Sequence, residues 1–134
     1  MFRGWHTDAA CENAFNGGTM PVTGLILYAK WEAGQNTAYK VEHYLQNADG
    51  SYPGAASQTE NRTGATGAAV EAVVQTIAGY HEDTANTGAV KSGTIAADGS
   101  LVLRVYYARD TYTLTFKNAG EADFVSTRRW GESI

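Results

Sequence analysis

The sequence predicts a mainly β chain, with some α+β tendency, built as tandem repeat modules of small mixed sheets. Three observations carry that. The first is composition: eight Tyr, three Trp and fifteen Gly against two Pro suit short strands joined by glycine turns. The second is alternation, clearest in Leu101-Val102-Leu103-Arg104-Val105-Tyr106-Tyr107 and in Tyr112-Thr113-Leu114-Thr115-Phe116, separated by the polar link Arg109-Asp110-Thr111. The third is repetition. Leu25-Ile26-Leu27-Tyr28-Ala29-Lys30-Trp31, the link Glu32 to Thr37 and Tyr39-Lys40-Val41 restate the same order, with a period of about 75 residues.

The repeat divides the chain into three. Residues 1–32 read as the back half of a module, 33–111 as a complete module and 112–134 as the front half of another, as in a window on a longer array. Each copy of the strand-link-strand pattern then marks a module boundary.

Along the first segment, Phe2-Arg3-Gly4-Trp5 opens a strand and Asn16-Gly17-Gly18 interrupts the chain before Met20-Pro21-Val22 leads to a strand over Leu25 to Trp31. Trp5 and Trp31 are expected to be core or half-buried packing residues, because a small domain needs the large apolar area of each ring. His6, Asp8 and Glu12 lack the tight His/Cys spacing of a zinc site, so a solvated loop is expected. Cys11 is the only cysteine and has no His or Asn partner pattern, which makes it a poor nucleophile.

In the middle segment, Tyr39, Val41, His43 and Leu45 fall on one face of a strand, with Lys40, Glu42, Tyr44 and Gln46 on the other. His43 is read as a hydrogen-bonded packing residue. Asp49-Gly50 supplies a turn, Tyr52-Pro53-Gly54 redirects the chain, and Ala56 to Thr63 forms the second strand. Val70, Val73, Val74 and Ile77 recur at helical spacing, but their β-branched side chains make an extended crossover nearly as good a fit; either way they are expected to be buried. His81-Glu82-Asp83 and Asn86 give an acidic loop without the alternation of a calcium site. Val90 to Ala96, the turn Asp98-Gly99 and Leu101 to Tyr107 read as a hairpin. In the last segment Tyr112 to Lys117 and Phe124 to Ile134 form two further strands.

Two family resemblances sit on these residues. Phe2, Gly4-Trp5, Thr7-Asp8, Phe15, Pro21-Val22-Thr23 and Leu27-Tyr28-Ala29-Lys30-Trp31 resemble the back half of the internalin-type B (Listeria/Bacteroides) repeat of bacterial surface proteins, and Tyr112-Thr113-Leu114-Thr115-Phe116 resembles its front. Tyr39-x-Val41 with Tyr44, Asp49-Gly50, Gly64-x-x-Gly67, Gly79-Tyr80, Ser92-Gly93, Asp98-Gly99 and Val105-Tyr106-Tyr107 resemble the MucBP-like repeats of adhesins. The resemblance implies β-grasp-like units and a non-catalytic stalk, spacer or adhesive repeat of a secreted, extracellular cell-wall protein. The alternatives are a direct glycan- or mucin-binding module or an accessory domain of an extracellular enzyme.

Net charge of −4 without a basic run argues against nucleic acid, and no apolar run is long enough for membrane insertion. No Ser/His/Asp order, carboxylate pair, phosphate loop or metal signature supports an enzyme, so no catalytic residue, cofactor or metal is assigned. Tyr44, Tyr52 and Tyr106 are the candidate ligand-binding residues, as aromatics able to stack on a host glycan or mucin. Neighbouring repeats and self-association through residues 1–32 and 112–134 complete the expected partners. Lys40 or Lys117, beside Asn or Asp, would be needed for an intramolecular isopeptide bond.

Overall fold

The computed structural model describes all residues from 1 to 134 and contains ten strands and no helix. These are β1 (Phe2–His6), β2 (Tyr28–Trp31), β3 (Thr37–Leu45), β4 (Gln58–Gly64), β5 (Ala69–Glu71), β6 (Tyr80–Glu82), β7 (Ser92–Thr94), β8 (Val102–Arg109), β9 (Thr111–Phe116) and β10 (Phe124–Arg129). They form one four-stranded sheet, ordered β4-β3-β8-β6, and three two-stranded sheets, β1-β2, β5-β7 and β9-β10.

The two central strands of the large sheet, β3 and β8, run parallel from Lys40↔Val102 to Leu45↔Tyr107, while β4 and β6 flank them antiparallel. Alternation decides which face is covered. Tyr39, Val41 and His43 of β3 and Leu103, Val105 and Tyr107 of β8 point to the same side and are buried. The β5-β7 ribbon lies over them with Ala72 and Ile95, while Val70, Ile77 and Leu101 pack at the edge of this cluster. The core is small: ten residues of the chain are buried, and every apolar one lies between Tyr39 and Tyr107. Leu45, expected inside, sits at the half-buried end of its strand, whereas Tyr44 on the opposite face is buried by other means described below.

Several expectations are corrected. The crossover has no helix: Val70 lies in β5, Ala72 and Ile77 turn inward, and Val73 and Val74 face solvent, Val73 at 65% exposure. Three β-branched residues within five positions favour extended backbone, and an extended chain cannot put Val70, Val73 and Val74 on one side. Residues 90–107 pair only at their base, where Val90 and Arg104 exchange main-chain hydrogen bonds in an isolated antiparallel bridge. The Asp98-Gly99 turn is present, with Gly99 N–H donating to the Ala96 carbonyl, but β7 pairs with β5 while β8 enters the large sheet. A side chain on Gly93 would meet Leu101 at 2.6 Å, so β7 is laid over β8 as a second layer instead of beside it.

At the ends, β2 is confined to Tyr28–Trp31, β10 stops at Arg129 and only Asp110 separates β8 from β9. Trp31 is 70% exposed and Trp5 is half exposed: they form a surface cluster with Phe2, ring centroids 5.3 and 5.6 Å from it, and no other element covers them.

Candidate functional site

The parallel register sets Tyr44 directly beside Tyr106 on the face of the large sheet opposite the buried row of Val41, Leu103 and Val105. Their rings stack with centroids 4.7 Å apart at 13°, and the Tyr52 ring meets Tyr106 edge-on at 5.1 Å. The structure therefore brings all three candidate tyrosines together, two from neighbouring strands and the third from the loop between β3 and β4. Two of the three hydroxyls are tied down. Tyr44 donates to Glu42 (2.7 Å), which also faces Arg104, and Tyr52 donates to Asp83 (2.8 Å). Both phenols ionise later than a free tyrosine, Tyr44 chiefly through the Glu42 hydrogen bond and Tyr52 chiefly through burial.

The segment after β6 closes over this cluster. Asp83 N–H donates to the Tyr106 carbonyl, and a side chain at Gly88 would come within 2.9 Å of the Tyr106 hydroxyl, so only glycine allows that approach. Tyr44 keeps 9% of its surface, and the accessible part of the cluster is the rim made by Tyr106 and Tyr52 with Asp83, Glu42 and Arg104. That is an aromatic edge bordered by both signs of charge.

Below the sheet lies a second polar assembly that the alternation pattern identified only in part. The main-chain N–H of Gln75 donates to the Tyr107 hydroxyl (2.9 Å), freeing that hydroxyl to donate to His43 Nδ1 (2.9 Å). His43 then carries its proton on Nε2 and donates to Glu60 (3.0 Å), which also accepts from the Gln75 amide (2.6 Å). Arg62 holds the Glu60 carboxyl below its ordinary range. This chain satisfies a histidine that is 1% exposed and fastens the crossover to the sheet.

Arg109, which the sequence offers only as part of a polar link, organises the junction between the large sheet and β9-β10. Its Nε donates to the Gln46 carbonyl (2.7 Å), its guanidinium lies 5.3 Å from the Tyr80 ring centroid, and Nη1 donates to the Trp130 carbonyl. Trp130 N–H donates to the Asp110 carbonyl, and the Trp130 indole lies on Gly79, where a side chain would meet it at 2.2 Å. At the opposite junction Thr66 N–H donates to the Gly34 carbonyl (2.7 Å), and the Thr37 and Thr66 hydroxyls are 2.6 Å apart. Gly79 and Trp130 are 51 positions apart in the sequence, and no local pattern links them.

The remaining candidates are engaged otherwise. Asp8 accepts from the N–H groups of Glu12 and Asn13, which hold its carboxyl below the usual range, and His6 is buried under its loop. In the acidic loop, Glu82 pairs with Lys91 at 2.6 Å and Asp83 serves Tyr52. Lys117 pairs with Asp123 at 2.6 Å on the open surface, where it is 81% exposed. The open groove along β5-β7, about 450 Å³, has Glu71 as its one ionisable lining residue.

Comparison of the chain with protein-family models, curated proteins and solved structures finds no match in any of the three.

Proposed function

We propose that the chain is a load-bearing spacer segment of a secreted bacterial surface protein, without catalytic activity. One observation carries the reading. The chain enters the large sheet at the start of β3 and leaves at the end of β8, and because these strands are adjacent and parallel the two points lie at opposite poles. Tension along the chain pulls β3 and β8 past each other, loading their hydrogen bonds together, from Lys40 N–H···Leu101 O to Gln46 N–H···Tyr107 O. The junctions at Gly34-Thr66 and at Arg109-Trp130 transmit that tension in line. The central parallel pair with antiparallel flanks also supports a β-grasp-like module, in which the β5-β7 ribbon takes the place of a crossing helix, and the resemblance of residues 1–32, 33–111 and 112–134 to surface-protein repeats agrees with an extracellular array.

Single-molecule pulling tests this. Stretching from end to end is expected to give one rupture that releases about 70 residues, a contour-length gain of about 220 Å. Pulling between residues 37 and 64, register partners at one end of β3-β4, peels bonds singly and is expected to need far less force. Equal forces in the two directions would exclude a spacer built for load.

The stacked tyrosines favour a second reading, a glycan contact at the rim of Tyr106 and Tyr52. A stalk would then gain avidity from many weak contacts. Tyr106→Ala is expected to abolish retention on immobilised mucin glycans; retention equal to that of the parent chain removes this reading.

A further inference from the structure

The large sheet has one long free edge, and it belongs to the middle module itself. At one side β6 spans three residues and is prolonged by the Asp83 bond to Tyr106 and by the Val90–Arg104 bridge. At the other side β4 presents seven residues, five of them exposed, with no strand beyond it. Edges are commonly blunted by Lys, Pro or short length, and Gln58–Gly64 contains neither Lys nor Pro. The neighbouring sheets join the module at its poles, through Gly34-Thr66 and Arg109-Trp130, and leave this side open. Main-chain bonds decide which groups face out. Those of Lys40 and Gln46 go to β8 and the His43 carbonyl serves the β4 side, so Tyr39, Val41 and His43 bond toward β4. Their register partners Arg62 and Glu60 answer them, which directs the N–H and C=O groups of Thr59, Asn61 and Thr63 away from the sheet.

We propose that β4 pairs antiparallel with β4 of a second copy of this chain, about a two-fold axis at Asn61, so that the two large sheets join edge to edge. The order of charges selects this register. With Asn61 opposite Asn61 of the second copy, Glu60 faces Arg62 of the second copy and Arg62 faces Glu60 of the second copy. Both are non-hydrogen-bonded positions, where Cα atoms stand about 4.5 Å apart and side chains meet most closely. An axis moved to Glu60 or to Arg62 sets like charges opposite each other, which destabilises a pair. The same register matches Thr59 with Thr63 of the second copy, and these two with Asn61 are the outward-directed residues. Each such pair exchanges both of its main-chain hydrogen bonds, and facing threonines add a favourable cross-strand contact.

The side chains agree with this pairing. Glu60 lies on the His43 side of the sheet and Arg62 bonds to it there, so the pairs within each chain and across the axis form one group of alternating charge. His43 and Gln75 already hold the Glu60 carboxylate in place, which lowers the entropy cost of presenting it. Thr59, Asn61 and Thr63 lie on the opposite side. The contact uses one patch twice and closes at a dimer. An edge of seven residues belongs with the small, weak interfaces below about 1,200 Å², so association is expected only at high concentration. The pairing does not depend on the load-bearing reading. Its orientation bears on that reading, because the two chains run in opposite directions, as stalks do when they meet from facing surfaces.

Light scattering on the full chain with Cys11→Ser, over a wide concentration range, tests association, and disulfide trapping in a glutathione buffer tests the register. The weight-average mass is expected to rise with concentration from 14.3 kDa. Asn61→Pro removes an outward N–H and spares the bonds to β3, and Arg62→Glu sets acid against acid across the axis. Each is expected to weaken association at least tenfold, and the Arg62 variant decides should the proline variant fail to fold. In the Cys11→Ser background Asn61→Cys is expected to form a symmetric disulfide, since the paired Cα atoms stand about 5.5 Å apart. Thr59→Cys is expected to form none with itself, its two copies being about 13 Å apart along the strands. A mass fixed at 14.3 kDa up to millimolar concentration overturns the proposal. So does association that Arg62→Glu leaves unchanged, or Thr59→Cys crosslinking as readily as Asn61→Cys.

Discussion

At the scale of single residues, the middle sheet depends on one buried histidine. His43 sits on the covered face of β3 where an apolar residue would serve for burial, yet both ring nitrogens are used, one by Tyr107 and one by Glu60. His43→Ala leaves a cavity and takes the acceptor from the Tyr107 O–H, and chemical denaturation is expected to show a loss of about 3 kcal/mol. Tyr107→Phe should cost less, about 1–2 kcal/mol, because the ring still fills its place. The tyrosines also set an alkaline limit. Tyr52 and Tyr107, chiefly through burial, and Tyr44, chiefly through Glu42, hold their protons above the ordinary tyrosine value of 10.0. The folded state thus binds these protons more tightly than the unfolded one, so their stabilisation is whole below pH 10 and is lost as pH rises beyond it. Spectrophotometric titration is expected to show a late tyrosinate fraction that appears together with unfolding; eight tyrosines ionising as one free class would contradict this. His43 was legible as a packing residue from alternation alone. Its partners were not, since Glu60, Gln75 and Tyr107 stand 17, 32 and 64 positions away and no periodicity joins them.

At the scale of elements, alternation located β3, β8 and β9 because each has one apolar face, and the same signal misled where pairing was decided by layers. Residues 90–107 carry two β-like runs and an Asp-Gly turn, which is all a hairpin shows in sequence. How far the runs pair depends on what else needs the central place: β8, with Leu103, Val105 and Tyr107 almost wholly buried, is held by β3 and β6, and the first run keeps only the Val90–Arg104 bridge to it. The run at Val70 to Ile77 is ambiguous for a related reason: four apolar residues in eight positions fit either period, and β-branching, not spacing, decides. The junction with β9-β10 could not be read at all, because its three contributors, Gly79, Arg109 and Trp130, look like a turn, a link and an ending. Gly79→Ala puts a side chain into the Trp130 indole at a backbone φ of +78°. It is expected to lift Trp130 off the sheet, shifting tryptophan emission to longer wavelength while the thermal transition of the middle core moves little. Emission and quencher access identical to those of the parent would show that the junction does not depend on this contact.

At the scale of the whole molecule, stability is concentrated in the middle. All the buried apolar residues lie between Tyr39 and Tyr107, whereas the outer sheets are two-stranded with exposed aromatic faces. A lone two-stranded sheet is marginal in water, so the ends should open locally at little cost while the middle opens only with global unfolding. Hydrogen exchange at low concentration is therefore expected to rank the amides: β3 and β8 slowest, β4 and β6 intermediate, β1, β2 and β9 fastest. Equal protection in all ten strands would contradict this ranking, because the outer sheets would then open only with the middle one. With the ranking as expected, tension on the chain straightens the outer hairpins first and reaches β3 and β8 through extended chain.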